Sequence, residues 1–271
     1  EISLGLVGSE MCIRDRNGPG CLLAMKLYKL TVVEAKDGWE DKAAYYLNFA
    51  KEVYNWMTAY LCDTSTGQVY DNLGIRDDGT PGDPDKVALS YNQGTFMASA
   101  LELYNATGEE EYLRNAVAFA AYQVNKKMDS NYPVFSGEGN SGDNLLFRGI
   151  FVRYFLDMLK QPVSSVYPEK TKNKFIAALR SCSDVLWTLA HPDGYYVWEY
   201  SWSKAPEFGN RDNREDRLTI SLNAEVPGAT LIEIRARYED WVQGKATEEP
   251  NWIGPDSVSY THLTLPTICS V

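Results

Sequence analysis

The chain has 271 residues and a formal net charge of -11, with 44% hydrophobic and 23% charged residues. That balance excludes the basic footprint of a nucleic-acid binder, makes acidic polymers poor substrates, and leaves ample apolar material for one core. No apolar run approaches the roughly 20 residues that a membrane helix needs, so no membrane span is expected.

The two ends read as foreign to the rest. Met11-Cys12-Ile13-Arg14-Asp15 can be encoded ATG TGT ATA AGA GAC, whose reverse complement, GTC TCT TAT ACA CAT, spells Val258-Ser259-Tyr260-Thr261-His262. Inverted copies flanking a reading frame look like translated sequencing-library adaptor. Residues 1–16 and 257–271 are therefore set aside as processing scars, leaving 17–256 as the expected domain, with tails expected to be disordered or loosely draped. Dropping Arg14 and Arg16 against Glu1, Glu10 and Asp15 shifts the charge from -11 only to -10. Within 17–256 the cysteines are Cys21, Cys62 and Cys182, an odd set without metal-ligand spacing, read as buried thiols. His191 is the single histidine there, which speaks against a histidine-rich metal site or a Ser-His-Asp hydrolase. No cofactor and no metal is expected.

In chain order, Cys21 to Leu30 is an apolar helix with Asn17-Gly18-Pro19-Gly20 as its lead. Asp37-Gly38-Trp39-Glu40 has the form of a capping box, opening a helix whose apolar stripe is Leu47, Ala50, Tyr54, Met57 and Leu61. Gln68-Val69-Tyr70-Asp71 reads as a short extended segment. Asp77 to Asp85 cannot hold a helix, because Pro81 and Pro84 lack amide donors and Gly79 and Gly82 favour turns.

Leu89-Ser90-Tyr91-Asn92-Gln93-Gly94-Thr95-Phe96 then enters a strongly helical stretch. An aromatic followed by two neutral amides at a helix entrance suits the gripping of a polyol, the ring against a sugar face and each amide offering donors and an acceptor. The same residues also suit an amide capping a helix inside the core.

Leu27-Tyr28-Lys29-Leu30-Thr31 followed by Tyr46-Leu47-Asn48-Phe49-Ala50 has the form of Leu103-Tyr104-Asn105-Ala106-Thr107 followed by Tyr112-Leu113-Arg114-Asn115-Ala116, the first copy with a longer connection. A helix, a Thr-centred turn and a second helix recurring in this way predict stacked αα-hairpins. The stripe Leu113, Ala116, Val117, Ala120 and Val124 supports the second copy. Asn131 to Asn144 is a Gly-rich loop, and Asp143, a natural N-cap, leads into Leu145-Leu146-Phe147-Arg148-Gly149-Ile150-Phe151-Val152-Arg153-Tyr154, where a further helix begins. Phe175, Leu179, Cys182, Leu186 and Leu189 stripe a further helix closed by His191-Pro192-Asp193-Gly194. Tyr195, Tyr196, Trp198, Tyr200 and Trp202 follow without helical spacing, a cover on the core or a sugar platform. A last helix is expected from about Ala224 to Trp241, with Leu231, Ile234 and Tyr238 on one side.

Five stretches, in order and spacing, resemble bacterial members of glycoside hydrolase family 76, the endo-α-1,6-mannanases: Asn17-Gly18-Pro19-Gly20-Cys21-Leu22-Leu23-Ala24, Gly67-Gln68-Val69-Tyr70-Asp71, Tyr91-Asn92-Gln93-Gly94, Leu103-Tyr104-Asn105-Ala106-Thr107-Gly108, and Phe147-Arg148-Gly149-Ile150-Phe151-Val152-Arg153-Tyr154. The resemblance implies an all-α fold, an (α/α)6 barrel or αα-hairpin toroid incomplete at its N-terminal side. It implies a groove for α-mannan oligosaccharide or polysaccharide, cleaved with retention by two adjacent aspartates on a helix preceding the region like Asn17 to Ala24, and a parent that is secreted, periplasmic or on the cell surface. No such pair is matched within 17–256, so the chain is expected to lack it. Asp77-Asp78 is the single Asp-Asp doublet, in a turn. Glu109-Glu110-Glu111 is a helix first turn, where acids complement the dipole.

The resemblance carries Tyr91, Asn92 and Gln93 over to the groove, with Asp143, Phe147 and Arg148 at the other helix entrance and Trp198 for stacking on sugar. Where the family commonly has Lys, Arg148 keeps the charge but changes the donor geometry. A non-catalytic glycan-binding toroid and a six-hairpin glycosidase of other linkage specificity stay open. With opening helices absent, Cys21 to Leu30 is expected to expose apolar surface and the chain to be marginally stable or to aggregate.

Overall fold

The computed structural model describes residues 12–34, 38–76, 78–140, 142–189, 198, 200–203 and 222–245. Seven helices carry the architecture: α1 (Cys12–Glu34), α2 (Glu40–Tyr60), α3 (Ser90–Thr107), α4 (Glu110–Lys126), α5 (Phe147–Lys160), α6 (Glu169–Leu189) and α7 (Leu222–Val242). Two compact units are present, residues 1–235 and 236–271. The described part of the second is the end of α7 and its exit, where the Tyr238 and Trp241 rings lie 6.0 Å apart.

In the first unit α1, α3 and α5 lie side by side, and α2, α4 and α6 pack behind them as the second members of successive hairpins. This two-layered array of αα-hairpins is the wall of a toroid. The predicted stripes face inward: Ala50, Tyr54 and Met57 on α2 with Leu61 just past its end, Leu113, Ala116, Ala120 and Val124 on α4, and Phe175, Leu179, Cys182 and Leu186 on α6 are buried, while Leu47, Val117 and Leu189 are half-buried. Phe135, Phe151, Phe155 and Phe175 form a continuous aromatic core under α5, with neighbouring ring centroids 5.0 to 6.3 Å apart. One polar thread crosses the layers, Asn115 Nδ2 donating to Tyr54 Oη at 3.1 Å.

Close helix contact depends on a missing side chain at Gly94. A Cβ there would lie 2.7 Å from the Phe151 Cα, so α3 and α5 touch backbone to backbone. At Gly67, φ is +77° and a Cβ would meet the Ala118 carbonyl oxygen at 2.0 Å, which ties the following strand against α4.

Local boundaries differ from the sequence reading in three places. α1 starts at Cys12, not Cys21, and carries Pro19 in its interior, so part of the presumed tail is helical. Thr31, read as a turn, lies inside α1 with its hydroxyl donating to the Tyr28 carbonyl at 2.7 Å. Thr107 does end its helix, followed by Gly108 at φ 73°. Glu40 is the first residue of α2 rather than its third, and Trp39 precedes it without a side-chain cap; Asp37 lies outside the described residues.

Between α2 and α3 the chain forms two antiparallel hairpins, β1 (Cys62–Asp63) with β2 (Gln68–Val69), and β3 (Asn72–Ile75) with β4 (Pro81–Asp85). Proline is tolerated in so short a ladder because each strand is an edge. These hairpins deliver Asp71 to the mouth of α3.

Candidate glycan-binding site

Helix α3 begins without a cap of its own, since Leu89 offers no side-chain bond to the first turn. Its opening residues are nonetheless fully engaged. Tyr91 Oη donates to Asp71 Oδ1 at 3.0 Å and Asn92 Nδ2 donates to the same oxygen at 3.1 Å. The half-buried Tyr91 ring lies against Phe147 from the first turn of α5, with centroids 4.4 Å apart and planes at 44°. Two aromatic edges and a carboxylate held by two donors thus meet where the first turns of α3 and α5 converge.

The carboxylate of Glu138, from the Gly-rich loop, accepts from the Ser90 N–H and from the Ser90 hydroxyl, each at 2.5 Å. Burial raises the Glu138 carboxyl above the ordinary Glu range, opposed by the two Ser90 donors and by the positive charges of Lys127 and Arg148.

Asn92 is itself buried, its amide serving Asp71, and the other residues assigned to the groove also turn inward. Gln93 is fully buried; its side-chain oxygen accepts from Val69 N–H at 2.5 Å, and its amide donates to the Gly67 and Phe119 carbonyls at 2.8 and 2.9 Å. It completes backbone that would otherwise be orphaned, so it has no donor left for a sugar. Arg148 is also buried, bonded from Nη1 to the Phe135 and Ser201 carbonyls at 3.0 and 3.2 Å and from Nη2 to the Tyr200 carbonyl. Its guanidinium lies over the Trp202 ring, 3.8 Å from the centroid. The planar fork that a lysine lacks is what lets one side chain gather three carbonyls. The sugar contact that the resemblance implies does not describe it.

Trp198 is buried, its indole N–H donating to the Leu186 carbonyl at 3.0 Å and its backbone N–H to the Glu225 carboxylate at 3.1 Å. It covers the core, the other of the two readings open for the aromatic run; Tyr195 and Tyr196 lie outside the described residues. Asp143 is exposed, sits in a 3₁₀ turn (Gly142–Leu145), and does not cap α5, which begins after Leu146 without a side-chain cap. Asp78 is exposed in a turn, its carboxylate accepting from the Thr80 N–H and hydroxyl at 2.9 and 2.6 Å; Asp77 lies outside the described residues.

Cys21, Cys62 and Cys182 are free, the first and last buried and Cys62 only half-buried, and desolvation pushes each thiol up to about 12. Among the described residues no group of His, Cys, Asp or Glu side chains is placed to hold a metal ion, and no helix is long and apolar enough to cross a membrane.

The family model for glycosyl hydrolase family 76 matches residues 16–223. The chain belongs to glycosyl hydrolase family 76. Among solved structures, an α-1,6-mannanase from a Salegentibacter strain is similar at 27% identity and TM-score 0.65, covering 82% of this chain and 58% of that one. An inactive variant of that mannanase, with two adjacent aspartates replaced, is solved with α-1,6-mannotriose and gives TM-score 0.66 at 27% identity over the same shares, 82% of this chain and 58% of that one. A Listeria innocua protein is 31% identical, with TM-score 0.63 over 82% of this chain and 55% of its own. This family 76 chain therefore spans less than two thirds of the length of these relatives. No curated protein sequence matches it.

The aromatic and carboxylate cluster contains two residues that sequence reasoning did not assign to a site. Asp71 ends the Gly67 to Asp71 motif, whose pattern points only to an extended segment. Glu138 is one acid in the Gly-rich loop from Asn131 to Asn144. Only its distant partner, Ser90, gives Glu138 meaning, and no local spacing encodes that pairing.

Proposed function

We propose that this family 76 chain is part of an endo-acting, retaining α-1,6-mannanase and supplies one wall of its mannan groove, centred on Tyr91, Phe147, Asn92 and Asp71. The carrying observation is the Tyr91–Phe147 aromatic pair beside an Asp71 carboxylate already oriented by Tyr91 and Asn92. Rings take the apolar face of a pyranose while an oriented carboxylate accepts from its hydroxyls. The Salegentibacter mannanase, inactive when two adjacent aspartates are replaced and solved with an α-1,6-mannooligosaccharide, supports the linkage.

Retention needs two carboxyl groups about 5 to 5.5 Å apart, one a nucleophile and one an acid. The exposed Asp78 carboxylate is bonded to Thr80 within its own turn, and we place the catalytic aspartates in parent sequence preceding Asn17. The parent would act outside the cytoplasm, on polysaccharide too large to be imported.

Calorimetric titration of the chain with α-1,6-mannotriose tests the reading. We expect measurable binding, weakened about tenfold (~1.4 kcal/mol) in Tyr91→Ala, and no release of reducing ends from α-1,6-mannan. A folded chain that ignores mannotriose at millimolar concentration would sink the groove assignment. Cleavage by the chain alone would refute the missing-pair reading.

A further inference from the structure

The first turn of a helix presents amides with no intrahelical partner, and α3 starts from Leu89, which cannot cap them. The Glu138 carboxylate fills that place from 48 residues away, one oxygen on the Ser90 N–H and the other on the Ser90 hydroxyl. An anion there also complements the positive end of the helix dipole.

The loop carrying Glu138 has a firm base. Ser136 N–H donates to the Lys127 carbonyl at 2.7 Å and Asp129 N–H to the Val134 carbonyl at 2.8 Å, Met128 bridges Phe135, and Arg148 holds the Phe135 carbonyl. Ser90 is fully buried, so its two donors have little access to water as a replacement.

We infer that Glu138 is a positioning residue, a distant cap that fixes where α3 begins and thereby sets Tyr91 and Asn92 against Asp71 in the groove wall. Successive helical residues are turned about 100° from one another, so a first turn that frays at Ser90 swings Tyr91 away from both Asp71 and Phe147. The charges facing the carboxylate are Lys127 at the end of α4 and Arg148 on α5, and its hydrogen-bond partner is Ser90. Protonation weakens the two bonds that hold the helix start, so wall geometry becomes sensitive to acid. The sugar-binding half of this inference rests on the mannan reading; the helix-positioning half does not.

The experiment is amide NMR of the intact chain with Glu138→Ala and Glu138→Gln, alongside mannotriose titration. In the unaltered chain the Ser90 amide is expected far downfield, moving with pH at a midpoint above the ordinary Glu range. Glu138→Ala should abolish that movement, shift the Tyr91 ring signals and speed exchange of the Tyr91 and Asn92 amides about tenfold. Glu138→Gln retains an acceptor of similar shape and should restore protection and ring position without the titration, with mannotriose affinity within about twofold of the parent chain against a tenfold loss in the alanine variant.

An unchanged Ser90 amide in Glu138→Ala overturns the cap. Lost protection with unmoved Tyr91 signals and equal affinity reduces Glu138 to a structural bond and overturns the positioning role. Should the alanine variant not fold, loss of the Ser90 titration in Glu138→Gln decides the matter. If the unaltered chain binds no mannotriose, the mannan reading fails, and the Tyr91 ring signals alone judge the positioning of the helix start.

Discussion

The entrances to α3 and α5 are built from the same materials and wired differently. Each starts without a cap of its own and places a half-buried aromatic, Tyr91 or Phe147, near a deeply buried polar residue, Gln93 or Arg148. At α3 the buried amide satisfies backbone at Gly67, Val69 and Phe119, no further than 26 residues away. At α5 the guanidinium reaches Tyr200 and Ser201, over 50 residues on. The aromatics define a surface, while the polar residues beside them hold together what lies underneath. Adjacent positions in one motif therefore do unrelated work, because a helix turns each to a different side.

The sharpest way to break this comparison is Arg148→Ala. Three carbonyls lose a charged donor and Trp202 its stacking partner, so we expect a loss of about 3 to 5 kcal/mol in urea unfolding. A cost below about 1 kcal/mol would show the clamp to be dispensable. Gln93→Ala should cost less, about 2 to 3 kcal/mol, and should leave mannotriose affinity per folded molecule unchanged; a selective loss of affinity would return Gln93 to the groove.

The smallest effect sharpens the picture at a third entrance, that of α7, where Glu225 accepts from the Trp198 backbone. Burial raises its carboxyl from an ordinary 4.5 to about 7. The folded chain then binds that proton more tightly than the unfolded one, so this contribution to stability is complete below pH 4.5 and is lost as pH rises through 7. Glu225→Gln should flatten that slope, raising the melting temperature by a few degrees at pH 8 and little at pH 4; an equal shift at both would discount the titration.

Helix stripes were legible in the sequence because burial repeats with the helical period, and the residues named on α2, α4 and α6 are nearly all inside. Helix starts were less so. Asp143 and the Asp37 to Glu40 box carry capping residue types, yet Leu146 and Trp39 precede their helices without side-chain caps, and at α3 the acceptor comes from a loop distant in sequence. Of the residues proposed for the groove, the motifs marked Tyr91 and Phe147 at their helix entrances, where both are half-buried, and Asn92, which is buried against Asp71. Gln93, Arg148 and Trp198 could not be separated from them, since an amide, a guanidinium or an indole reads alike whether it meets a sugar or a carbonyl. Asp71 and Glu138 are defined by partners that only the fold supplies.

The exposed face of α1 bears on handling the protein. Leu23, Leu30, Val32 and Val33 are each between 47% and 81% exposed, with Tyr45 of α2 at 64%, an invitation to self-association.

The reach of Arg148 also has a consequence in time. A ribosome adds about 5 to 20 residues per second, so Arg148 is synthesised about 3 to 10 s before the carbonyls of Tyr200 and Ser201, 52 and 53 residues later. Gln93 waits for Phe119 only half as long, its other partners being already made. The wall around α3 can thus settle on the nascent chain while the buried charge next door has only the Phe135 carbonyl as an acceptor. Synthesis interrupted between 160 and 200 would release a species with Tyr91 and Phe147 both present and two of the three Arg148 acceptors missing.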